Sequence, residues 1–134
     1  MEVRRQSWLV MVLVIGILYG VVGVSFAWPS NNVRLWRLAA WIACGVLYAI
    51  HVGYEQFRLG NSTLATALHA AMAVGLGGLI LAVSATIHKM VGTSPSPYWR
   101  FMVAMVTWPI ITAAPAFVVA LAAGVLLRAV RRAA

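Results

Sequence analysis

Four apolar runs of about 20 residues or more follow one another in this chain, separated only by a few turn-forming residues. They cover residues 7–27, 33–57, 63–88 and 99–127. A helix of about 20 residues crosses a hydrocarbon layer roughly 30 Å thick. That layer offers the backbone no hydrogen-bond partner, so each run must be helical if it lies there. The expected fold is all-α: a single membrane domain over residues 1–134, built as a four-helix bundle of antiparallel hairpins with short loops.

Composition supports a membrane setting. Charged residues make up 9% of the chain and the mean hydropathy is +0.94, whereas soluble domains carry roughly 25% charged residues. Ten Lys and Arg against two acids give a net charge of +8. The basic residues flank the apolar runs, which is the pattern of membrane anchoring, so the lipid bilayer and not nucleic acid is the expected partner. The lone cysteine, Cys44, rules out an internal disulfide and a cysteine-rich metal site.

The first run follows Arg4 and Arg5 and ends near Ser25 and Ala27, which resemble a cleavage site. It is longer than the roughly 7–15 apolar residues of a signal peptide, so it reads as a retained span. Gly16 and Gly20, with Gly23 one turn on, form a flat face suited to close helix packing. Tyr19 is the span's only strong hydrogen-bonding group at mid-depth.

Trp28, Pro29, Ser30, Asn31 and Asn32 break the chain before the second span, and Trp28 and Trp36 flank the break at headgroup level. The second span carries nearly all its polar chemistry on one stripe: Arg37, Trp41, Cys44, Tyr48, His51, Glu55 and Arg58. Steps of three and four return a side chain to the same helix face. Arg58 to Ser62 form a short loop, with Asn61 or Ser62 available to cap the third helix.

The third span carries a seam of small residues, Ala67, Ala71, Gly75, Gly78, Ala82 and Ala85, expected to meet another helix closely. His69 falls on the opposite face by helix geometry. Residues 92–97 form an extended loop held by Pro95 and Pro97. The fourth span contains Pro109 and Pro115, which free the carbonyls of Met105 and Ile111 and predict a bend. Thr107 and Thr112 lie nearby as local donors.

Four spans place both ends of the chain on one side. That side holds Arg4, Arg5, Arg58, Arg128, Arg131 and Arg132, and the other holds Arg34, Arg37, Lys89 and Arg100. Six against four biases both termini toward the cytoplasm, with a bacterial inner membrane as the expected setting.

For function, the stripe of Cys44, Tyr48, His51 and Glu55 is the candidate binding surface, expected to face the bundle interior or a partner. Trp41 and Arg37 extend it to one membrane surface and Arg58 to the other. Glu55 can hold the His51 imidazole, pair with Arg58, or meet a headgroup. The leading reading is a non-enzymatic small membrane protein: an accessory subunit of a membrane complex, a homo-oligomer, or a small-solute or proton pathway. The competing reading is a redox module binding b-type haem or a quinone near His51 and His69. If the seam packs on the second span, however, His69 points away from His51. His88, beside Lys89, reads as an interface residue.

Cys44 and His51 are two turns apart, about 10 Å, and cannot share a zinc ion. No HExxH, CxxC, Walker or GxSxG pattern occurs, and Asp is absent. An intramembrane enzyme stands as the third reading, supported only by the proximity of Glu55 to His51.

Overall fold

The computed structural model describes residues 2–27, 31–91 and 97–133, with side chains described from Ser7 to Val130 within those segments. The chain is all-α. Its four helices are α1 (Glu2–Ala27), α2 (Val33–Phe57), α3 (Thr63–Val91) and α4 (Tyr98–Ala133). All four are long and apolar enough to cross a membrane. The turn at 28–30, the loop at 92–96, and the side chains of Arg4, Arg5, Arg131 and Arg132 lie outside the described residues.

The ends of the helices follow from local chemistry. Asn32 adopts the left-handed region at φ 51 before α2 begins, a conformation that asparagine tolerates. Gly60, at φ 62, turns the chain between α2 and α3. Ser62 caps α3: its Oγ accepts a hydrogen bond from the Ala65 N–H at 3.1 Å.

Within the bundle α3 is the central helix. It packs most extensively on α4 and next on α1, while α1 and α4 do not meet among the described residues. Two glycine sites set these approaches. Gly77 of α3 sits over the Gly16–Gly20 stretch of α1, where an added Cβ would lie 3.3 Å from the Gly16 carbonyl oxygen. Leu76 and Ile80 cover Gly16 and Gly20 themselves. On the other side, Gly75 and Gly78 meet Pro109, Thr112 and Ala113 of α4. Small residues let backbones touch, and in lipid that contact is a main source of helix association.

The α3 seam therefore packs on α4 at Gly75 and Gly78, while Ala67 shares a core cluster with Val52 of α2 and Ala120 of α4. A second small face of the same helix, carrying Ala73 and Gly77, packs on α1. Of the seam residues, Ala67, Gly78 and Ala82 are buried, Ala71 and Gly75 are half-buried, and Ala85 is exposed.

Helix α4 runs without interruption through Pro109 and Pro115. Pro109 is half-buried against α3, whereas Pro115 is exposed. The Thr112 hydroxyl donates to the carbonyls of Trp108 and Pro109, at 3.0 and 3.1 Å, and not to the two carbonyls that the prolines free.

Helix α2 touches all three others but approaches α3 and α4 closely over only a short length. Its buried residues are His51, Val52, Glu55 and Gln56, all in its last two turns.

Candidate functional site

Glu55 is the only acidic residue after Glu2, and its side chain is completely buried. A carboxylate in such a place needs partners, because hydrocarbon supplies none. Three side chains provide them. His69 Nδ1 lies 2.8 Å from Oε1 and 2.9 Å from Oε2. Asn61 Nδ2 donates to Oε2 at 2.9 Å. His51 Nε2 lies 3.5 Å from Oε1, one helical turn back on α2.

The local sequence explains this convergence. His51 and Glu55 share an α2 face at spacing i, i+4. Gly60 reverses the chain, and Asn61 then meets Glu55 twice, with its backbone N–H also donating to the Glu55 carbonyl at 3.1 Å. Along α3, Thr66 and His69 lie three residues apart on neighbouring positions of the helix surface. Thr66 and His69 both turn toward α2: the Thr66 hydroxyl accepts a hydrogen bond from Gln56 Nε2 at 3.1 Å.

Helix α1 closes the cluster. The Trp8 indole stacks on the His69 imidazole, with centroids 4.7 Å apart and planes within 6°. An ionised carboxylate only accepts hydrogen bonds, so His69 bears its proton on Nδ1 where it faces Glu55. His51 is wholly buried, and neither of its ring nitrogens makes a regular hydrogen bond. The cluster thus brings one carboxylate and two imidazoles together from two helices.

Farther along α2, Tyr48 donates its hydroxyl to the Ala116 carbonyl of α4. Cys44 and Tyr48, both half-buried, pack with the buried Tyr19 of α1. The Tyr19 hydroxyl is enclosed and has no hydrogen-bond partner. At 1.5 Å per residue, Cys44 lies about 16 Å along α2 from Glu55. That distance is about half the hydrocarbon thickness.

Beyond Cys44 the stripe leaves the interior. Trp41 is 78% exposed and Arg37 is exposed, because this half of α2 has no buried residue. Arg58 is exposed at the other end. The continuous polar face expected to cross the membrane is therefore an interior half-stripe, from Glu55 to Cys44, with exposed extensions at each end. Among the described residues the ionic partners of Glu55 are the two histidines and not Arg58.

His69 would point away from His51 only with the seam packed on α2, whereas Gly75 and Gly78 of the seam meet α4. Because the seam faces α4, the opposite face of α3 looks toward α1 and α2, and His69 reaches Glu55 there. The carboxylate fills the gap between the two imidazoles, so joint haem ligation by His51 and His69 would require Glu55 to withdraw. Among the described residues no three His, Cys, Asp or Glu side chains are placed to hold a metal ion.

Asn61 lies in the loop expected there and binds the Glu55 carboxylate, while Trp8 and Gln56 join through contacts that no local sequence pattern marks. The three-residue spacing of Thr66 and His69 is the sequence signal for the α3 members.

Neither a protein-family model, nor a curated protein, nor a solved structure matches this chain.

Proposed function

We propose that this small membrane protein is a non-enzymatic, proton-responsive subunit of a larger membrane assembly. In this reading its working element is the cluster of Glu55, His51 and His69. The observation that carries it is a fully buried carboxylate held between imidazoles from two helices. Ionisable groups inside a span are costly and mark ion or proton routes when they occur.

The interior polar groups extend to about mid-membrane, so one copy supplies half a route. A second copy or another membrane subunit, meeting the exposed half of α2, would supply the rest. Both termini are assigned to the cytoplasm of a bacterial inner membrane, on the six-to-four distribution of basic residues.

Reconstitution tests the route. Proteoliposomes containing the assembly should show a pH-dependent flux that Glu55→Gln and His51→Ala abolish while the protein stays folded. If these variants instead keep the flux and release a co-purifying subunit, the cluster serves assembly and not transport. Reporter fusions at Ala134 and in the loop at 92–97 should report opposite sides of the membrane.

A further inference from the structure

A groove of about 530 Å³ opens between the start of α3 and the last third of α4. Its wall is divided by chemistry. Leu64 of α3 and Leu121 and Val125 of α4 form an aliphatic floor, while Ser62, Thr63 and Arg128 stand at the membrane-surface end. The helices touch beside it because Gly124 has no side chain: an added Cβ would meet the Thr63 methyl at 2.5 Å.

We propose that this groove binds an acidic phospholipid, with the phosphodiester at Arg128 and an acyl chain along Leu64, Leu121 and Val125. Three independent observations point the same way. First, Arg128 is exposed at the mouth, and the one acidic side chain among the described residues, Glu55, is enclosed by His51, His69 and Asn61. Second, Thr63 lines the groove, and its buried hydroxyl has no hydrogen-bond partner among the described residues. Third, Arg131 and Arg132 follow Arg128 in sequence, and no acidic residue follows Glu55.

The first-turn N–H groups of α3 add a positive helix end beside the same spot. A basic pocket between spanning helices at the surface is suited to an anionic headgroup. Free phosphate would leave the aliphatic floor unused, and a zwitterionic lipid, though it brings the same phosphodiester, would add a quaternary ammonium beside a basic stretch of the chain that repels it.

Native mass spectrometry of the detergent-solubilised full chain, offered phosphatidylglycerol or phosphatidylcholine with identical acyl chains, tests the assignment. Phosphatidylglycerol should be retained in preference to phosphatidylcholine. Arg128→Gln should weaken that retention about fivefold, the effect of one arginine near an acidic surface. Arg58→Gln, at the same membrane surface but outside the groove, should change it little. Val125→Trp, which fills the floor, should also reduce it, and inorganic phosphate should not displace the lipid. Equal retention of the two lipids, or equal losses from Arg58→Gln and Arg128→Gln, would overturn the site in favour of general surface attraction. Full displacement by inorganic phosphate would overturn it in favour of a simple anion site.

Discussion

His69 Nδ1 lies within 2.9 Å of both oxygens of Glu55, joining α3 to α2 beside the Gln56–Thr66 hydrogen bond. The buried ion-pair geometry makes this the central polar contact of the bundle. Replacing Glu55 with Ala should lower stability by about 2 kcal/mol, the scale of hydrogen bonds to a charged group. Glu55→Gln should cost less, because the amide oxygen still accepts from His69. Unfolding in mixed micelles measures both; an unchanged midpoint for Glu55→Ala would remove the cluster from the stability of the fold.

Stacking of Trp8 on His69 ties α1 to the same cluster. A double-mutant cycle with Trp8→Ala and His69→Ala should give a coupling of about 1 kcal/mol, as stacked ring pairs do. Additive effects would show that the two rings are neighbours without energetic consequence.

The two mid-membrane tyrosines should respond in opposite ways to loss of the hydroxyl. Tyr48→Phe removes the bond to the Ala116 carbonyl and should cost about 1 kcal/mol. Tyr19→Phe removes an enclosed hydroxyl that has no partner, so stability should hold or rise by about 1 kcal/mol. Thermal unfolding of both variants in one detergent decides the matter, and equal losses would contradict the assigned bonding.

Glycine substitutions should separate packing sites from neutral ones. Gly16→Leu and Gly78→Leu should each loosen the bundle, because a Cβ at Gly16 would lie 2.7 Å from Leu76 and one at Gly78 would lie 2.5 Å from Thr112. Gly45 has nothing within 4 Å, so Gly45→Ala should be tolerated and gain up to about 1 kcal/mol of helix propensity. If Gly45→Ala destabilises as much as the packing variants, the clash argument fails.

Much of the architecture was open to reading from local rules. Long apolar runs must be helical in hydrocarbon, and the polar breaks place the loops, so α2 matches the run read from sequence at both ends. The close approach at Gly16 and Gly20 was equally legible in kind, since only small residues allow it. Its counterpart, Gly77, was not, because it lies outside the Ala67–Ala82 seam and belongs to a second small face of α3.

By itself, then, the sequence determined the four spans, the scarcity of buried charge, and the pairing of His51 with Glu55 on one helix face. Those properties depend on residues within a turn of each other. Only the tertiary structure decided that α3 would stand between α1 and α4, which turns His69 toward Glu55, brings Trp8 over its ring, and leaves Arg37 and Trp41 outside. A helix face carries no record of which neighbour it meets. That choice is made by which backbones can approach most closely, and here the glycines of α1 and α3, and of α3 against Pro109 of α4, settle it.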